Sequence, residues 1–298
     1  MKSPTEWLIS QNKYLHENKG AGTHRKTPVL SITGGKGGVG KTSICLKLAR
    51  EMAEKGNKIL VIDCDYNLSN TAVKLNLPLS DNFFSLITAS KNFEDCLYQD
   101  KKFFLLSGCN GKSELFKDNY EVEKFIIDII NSHANQFDYV LLDSPAGLNQ
   151  TSVTLNAYSD HRIVVVTPDR SSITDSYSLM KVLNLQYSTD SYHLLINKVS
   201  SLNQYKKVVK CLGETAEKFL NCRIFQLGRI EYLKGNIENF DRDFLSLENF
   251  SVHHNLLRFF NVQSQGDEKT SSEFPESFSR GNHLADKFRG QEVRSTLS

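Results

Sequence analysis

A chain of 298 residues, 39% hydrophobic and 23% charged, can bury a sizeable core, and its apolar fraction excludes disorder throughout. Its formal net charge of +2 argues against a dedicated nucleic-acid binder, which carries a clear basic excess. No apolar run approaches the ~18 residues of a membrane span, and the opening MKSPTEW has no apolar leader core, so a soluble, cytoplasmic protein is expected. Cys45, Cys64, Cys96, Cys109, Cys211 and Cys222 form no C-x-x-C pair and read as ordinary thiols of a reducing compartment.

In chain order, residues 1–28 form a polar, basic-leaning extension with one short helix expected from Thr5 to Glu17. Short, nearly continuous apolar runs follow at Val29–Thr33, Lys58–Asp63, Phe103–Leu106, Tyr139–Asp143, Arg162–Thr167, Tyr192–Asn197 and Arg223–Leu227. Such runs suit strands buried on both faces. Helix-period stretches lie between them at Lys41–Glu54, Val122–His133, Ile173–Leu185 and Gln204–Phe219. The alternation predicts an α/β domain over residues 29–262, a mostly parallel twisted sheet with helices on both faces. Residues 263–298 are polar and read as a disordered tail. Ligands of parallel sheets bind outside the carboxyl ends of the strands. Function is therefore sought just after Thr33, Asp63, Asp143, Thr167 and Asn197.

The first of these places carries the strongest signal. Residues 34–43 read GGKGGVGKTS, and Gly35 to Thr42 satisfy G-x-x-x-x-G-K-[ST] between a strand and a helix. Glycines let successive backbone N–H groups turn inward around phosphates, and the following helix presents its positive end. Gly35, Gly37, Gly38, Val39, Gly40, Lys41, Thr42 and Ser43 are thus candidate nucleotide contacts. Lys41 is placed to bridge the β- and γ-phosphates, and Thr42 to offer its hydroxyl to Mg²⁺. Lys36 adds a second positive charge where one lysine suffices. Carboxylates follow at two strand ends. Asp63 and Asp65 share one side of an extended chain, and Asp143 closes an apolar run as a Walker B acid acting on metal through water. A lone acid at a strand end is often only a cap, and the phosphate loop is what turns these toward chemistry.

The string KGGVGKT (residues 36–42) resembles the deviant Walker A loop of the MinD/ParA ATPases, and the likeness extends over about residues 27–262. The resemblance implies a P-loop NTPase fold, ATP and Mg²⁺ as ligands, and a homodimer closed face to face around two ATP molecules, with Lys36 reaching the partner's nucleotide. DCDYNLSN (63–70) is similar to the family's first switch and DSPAG (143–147) to its second. Carried over by position, Asp65 orients the hydrolytic water, Asp63 supports the metal site, and Asp143 binds Mg²⁺ through water. Asn70 matches the switch asparagine and Asn197 the residue that reads adenine.

Further strings resemble one branch, the flagellar-number regulators: DYNLSNTAVKLNL (65–77), FLLSGCNG (104–111) and SSITDSYSLMK (171–181). That branch implies control of flagellar number or placement, with flagellar assembly proteins as partners, the FlhF GTPase or switch-complex components among them. The chain also departs from it. TEWLISQNKYL replaces the branch's DQAxxLR-type activator motif, Ile230-Glu231-Tyr232-Leu233 replaces an I-P-x-D segment, and Asn67 and Asn76 stand where switch glycines are usual. Asparagine tolerates the left-handed backbone better than most residues.

Other readings stay open. Val252, Leu256, Phe259 and Phe260 form an apolar stripe. It suits a last helix packed on the sheet slightly better than a peripheral membrane contact through 251–262, because one fixed charge, Arg258, accompanies it. His253 and His254 lack a third metal ligand at sensible spacing. Lys206, Lys207 and Lys210 read as a solvated helix face, so no nucleic-acid partner is expected. The functional alternatives are a MinD-like division-site regulator, a ParA-like partitioning ATPase, or a nucleotide-dependent scaffold without turnover. An iron–sulfur carrier on the same fold would need paired cysteines, which the spacing does not supply.

Overall fold

The apolar runs of the middle zone become strands of one sheet. A computed structural model describes residues 27–65, 70–107, 121–232 and 240–246, all inside a unit spanning residues 1–258. The expected N-terminal helix, Asn67, the end of the FLLSGCNG string, the 251–262 stripe and the tail lie outside the described residues.

The strands are β1 (Val29–Thr33), β2 (Ile59–Asp63), β3 (Tyr98–Asp100), β4 (Phe103–Leu106), β5 (Tyr139–Asp143), β6 (His161–Val166), β7 (Ser191–Val199) and β8 (Arg223–Glu231). Their spatial order is β3-β4-β2-β5-β1-β6-β7-β8. Every neighbouring pair is parallel except β3–β4. The helices are α1 (Lys41–Glu54), α2 (Asn70–Lys74), α3 (Asn82–Ile87), α4 (Val122–His133), α5 (Gln150–Tyr158), α6 (Arg170–Tyr187), α7 (Leu202–Leu220) and α8 (Phe240–Ser246). All five residues of β1 and of β2 are buried. Because successive side chains alternate faces, both faces of the sheet centre are covered.

All seven predicted strands are present, three with the expected bounds and four with shifted ends that have local causes. Lys58 stays outside β2 because its N–H donates to the Asp138 carboxylate at 2.6 Å. Thr167 stays outside β6 because its N–H donates to the Ser172 hydroxyl at 2.9 Å. β7 and β8 run longer than expected because they pair with each other as far as Val199 and Glu231. The eighth strand, β3, is short, polar and exposed. It is an antiparallel edge that no apolar run announces.

β1 lies between β5 and β6, while the chain leaves β1 for β2 on one side and returns to β6 on the other. The crevice at the carboxyl end of β1 is therefore the topological switch point, the usual ligand position of such sheets. Helix ends around it are capped by side chains. Asp169 accepts from Ser172 N–H at α6, Ser201 from Gln204 N–H at α7, and Asn149 from Ser152 N–H at α5. Each cap answers one of the unpaired donors of a helix start. Among the described residues no helix is long and apolar enough to cross a membrane.

Candidate functional site

β1 delivers the chain at Thr33 into the loop 34–40, and α1 begins at Lys41. Gly40 has φ 101°, and a Cβ there would stand 2.5 Å from Asn197 Nδ2. Only glycine meets both conditions. Gly35 lies flat on α6: a Cβ would stand 2.3 Å from the Asp175 carbonyl oxygen. The loop and the SSITDS stretch are thus packed backbone to backbone, which gives that string a structural reason. Lys41 is buried. Desolvation lowers its pKa, and the charges of Asp143 and Asp65 oppose that shift.

The loop opens on a cavity of about 750 Å³. Of the residues expected at the site, Gly37, Gly38, Gly40, Lys41, Thr42, Ser43, Asp65, Asn70, Asp143 and Asn197 line it. Gly35, Lys36, Val39 and Asp63 are not among its walls; Val39 O accepts from Asn197 and Asp63 from Asp65 N–H, both of which are, whereas Gly35 packs on α6 and Lys36 pairs with Asp169.

The two strand-end aspartates are register partners in the β2–β5 ladder, and their surroundings differ. Asp63 accepts from the Thr71 hydroxyl at 2.6 Å, from Thr71 N–H at 3.3 Å and from Asp65 N–H at 3.1 Å. Burial pushes its pKa up to about 6, with Thr71's hydrogen bonds opposing. Its oxygens are spent on Asp65 and Thr71, so it positions those two residues. Asp143 is buried, and among the described residues neither of its oxygens meets a hydrogen-bond partner within contact distance, nor does the hydroxyl of Ser144 beside it. Burial and the charge of Asp63 push Asp143 up to about 8, against Thr42 and Lys41. A buried carboxylate left unanswered on a cavity wall is costly unless it meets a cation or water there. Thr42 and Asp143 together fit a hydrated Mg²⁺, which takes a hydroxyl, a carboxylate through water and substrate phosphates. Among the described residues no three His, Cys, Asp or Glu side chains form a metal cage.

On the opposite side of the loop, Lys36 Nζ donates to Asp169 Oδ1 at 3.0 Å and to Ser171 Oγ at 2.7 Å. Its side chain is 41% exposed, and exposed pairs of this kind are worth only about 0–1 kcal/mol. Asn197 Nδ2 donates to Val39 O at 2.8 Å, and its Oδ1 accepts from Lys198 N–H at 2.9 Å. Lys198 has φ 59°, and its ammonium donates to Gly38 O at 2.9 Å. Both β7 residues therefore brace the phosphate loop. Asn76 adopts φ 54°, as suits an asparagine in a glycine's place.

Sequence reasoning missed Lys74, Asp169, Lys198, Asp241 and Phe244. Four of these, Lys74, Lys198, Asp241 and Phe244, line the cavity. Lys74 sits inside a quoted string with no chemistry attached, and no local pattern marks Asp241 or Phe244. Ile230, Glu231 and Tyr232, the segment that departs from the I-P-x-D pattern, close another wall. Lys206, Lys207 and Lys210 are exposed on α7, with Lys210 4.0 Å from Glu214.

Comparison with known proteins agrees with this geometry. Residues 27–196 match the AAA_31 family model, an AAA domain. The antiactivator FleN of Pseudomonas aeruginosa is 25% identical over 72% of this chain and 77% of its own. The flagellum site-determining protein YlxH of Helicobacter pylori is 27% identical over 75% of this chain and 74% of its own. The septum site-determining protein MinD of the same bacterium is 31% identical over 62% and 70%. The structure of MinD with Mg-ADP from Pyrococcus horikoshii superposes with a TM-score of 0.64 at 19% identity, over 82% of this chain and 100% of that one; it shares the fold.

Proposed function

The chain belongs to the AAA_31 family, among the MinD/ParA P-loop ATPases, and from that premise we propose that it is an ATP-driven dimerising switch that regulates flagellar number or placement. The observation that carries the ATPase reading is the buried Asp143 carboxyl, which lines the phosphate-loop cavity together with Thr42 and Lys41 and whose burial no hydrogen bond among the described residues offsets within contact distance. The loop amides around Gly38 and Gly40 cradle phosphate oxygens, and Lys41 neutralises their charge. Thr42 and Asp143 would hold Mg²⁺, which would supply neutralisation of the phosphate charge. Asp65, tethered through Asp63, orients the attacking water. Catalysis on this reading is positioning and charge stabilisation, without a covalent step. Lys36 leaves its weak pair with Asp169 to reach the partner's nucleotide, so dimerisation exchanges one ion pair for another. The resulting surface selects flagellar assembly proteins, in the cytoplasm or peripherally at the membrane.

Two flagellar relatives align over about three quarters of the chain, more than the septal one from the same bacterium, and this supports the flagellar branch. The higher identity of the septal relative supports the second reading, division-site control. Deleting the gene in its source and counting flagella and minicells by electron microscopy separates the two. Changed flagellar number with normal division is the expected result. Normal flagella with minicells would move the switch to division.

A further inference from the structure

The cavity has one wall built from α8, far along the chain from any phosphate or carboxylate motif. There Asp241 Oδ1 accepts from the Ser43 hydroxyl at 3.1 Å and from Lys74 Nζ at 2.7 Å. Ser43 directly follows Thr42 on α1, and Lys74 ends α2, the helix that opens with Asn70. α8 is seated firmly enough to hold such a group. Phe244 and Leu245 are buried, and the Leu245 carbonyl accepts at 2.9 Å from Lys47. Lys47 is itself buried and paired with Glu51 at 2.8 Å.

These contacts complete a frame around α2, which carries Asn70. At its near end Asp63 holds Asp65 N–H and Thr71. At its far end Asp241 holds Lys74. A carboxylate on the wall of a polyphosphate cavity repels its ligand unless a cation neutralises it, and Lys74 supplies that cation. The Lys74 and Asp241 side chains are 26% and 35% exposed, where an isolated pair holds weakly. Ser43 as a third partner and the buried seat of α8 fix the geometry.

We propose that Asp241 is a positioning residue of the nucleotide site: anchored on α8 and braced by Ser43, it holds Lys74 and thereby sets where Asn70 stands and, through Thr71 and Asp63, where Asp65 stands. The proposal rests on the ATPase reading for its effect on turnover, and on geometry alone for the coupling.

The test uses the full chain carrying Asp241→Ala, Lys74→Ala, or the exchange Asp241→Lys with Lys74→Asp. Two quantities are read: amide hydrogen exchange over residues 63–77 without nucleotide, and steady-state ATP turnover. Each single change is expected to speed exchange there and to lower kcat about tenfold with KM within about twofold, the mark of misplacement rather than lost binding. The exchanged pair should restore most of both. Lys74→Ala removes the tie without touching α8, so poor folding of Asp241→Ala would not mask the result. Unchanged exchange in both single variants overturns the proposal. So does faster exchange with unchanged kcat, or an exchanged pair that restores neither quantity. Wild-type protein without any ATP turnover would sink the ATPase reading, and the exchange data would then decide the coupling alone.

Discussion

The carboxyl ends of β2 and β5 lie side by side in register, each finishing on an aspartate, and they are opposite kinds of site. Asp63 is buried and saturated with hydrogen bonds. Asp143 is buried with none among the described residues. Saturation makes a carboxylate a scaffold, because its lone pairs are already used to hold backbone in place. Lack of partners makes it a binding group, because an incoming cation or metal-bound water recovers the cost of its burial. One motif type at two neighbouring strand ends therefore divides into a part that shapes the switch and a part that meets the ligand.

The largest expected effect comes from removing the charge at the unanswered end. Asp143→Asn should lower ATP turnover on the order of 100-fold, while raising the melting temperature of the nucleotide-free protein. Turnover assays and calorimetry check both, and a lower melting temperature would make Asp143 structural after all. At the saturated end the sign reverses. Asp63→Ala should destabilise the protein by about 1–3 kcal/mol, because three donors lose their acceptor. A urea midpoint unmoved by that change would erase the contrast between the two ends.

A pH series sharpens the contrast without mutation. Both carboxyls are raised, Asp63 to about 6 and Asp143 to about 8, so the folded chain keeps protons that the unfolded chain releases. Their contribution is present below about pH 4 and is lost as pH rises toward 8. At the other end of the sheet, His193 packs against His161 at 5.5 Å and stacks on Phe225 at 5.1 Å. Burial lowers His161 to about 4 and His193 to about 3, with Arg162 adding to both. Their contribution is present above about pH 6.5 and is lost as pH falls through about 4 toward about 3. Nucleotide-free stability should therefore decline on both sides of mild acidity. Asp143→Asn should flatten the alkaline limb, and His193→Phe the acid limb. Equal slopes in wild type and variants would refute the assignment of the limbs. The smallest effect belongs to Asn76→Gly, beyond the β2 switch. Its φ of 54° suits glycine equally, so stability should change by no more than about 0.5 kcal/mol. A larger loss would mean that the Asn76 side chain holds the switch.

Legibility followed locality. The strands buried on both faces announced themselves as apolar runs, whereas β3 is polar and exposed and left no such trace. α5 escaped because it is almost wholly buried and has no polar stripe: Ser152, Thr154 and Asn156 lie inside with Val153 and Leu155. The short helices α2, α3 and α8 have too few turns to show a period. The phosphate loop and its three aspartates were readable because the chemistry demands those residue types at fixed spacing on consecutive stretches of chain.

What the chain alone determined is this set of contiguous features: the phosphate loop, the strand-end acids, and an alternation that fits only a parallel α/β sheet. What the tertiary structure decided is how those features divide their work. Asp63 and Asp143 are equivalent by pattern, and Thr71 and Asp65 packing against only one of them sets their roles. Lys36 meets Asp169 across 133 positions and Lys74 meets Asp241 across 167. Such distances carry no sequence period, because each contact exists only once sheet order and helix seating have brought its two sides together.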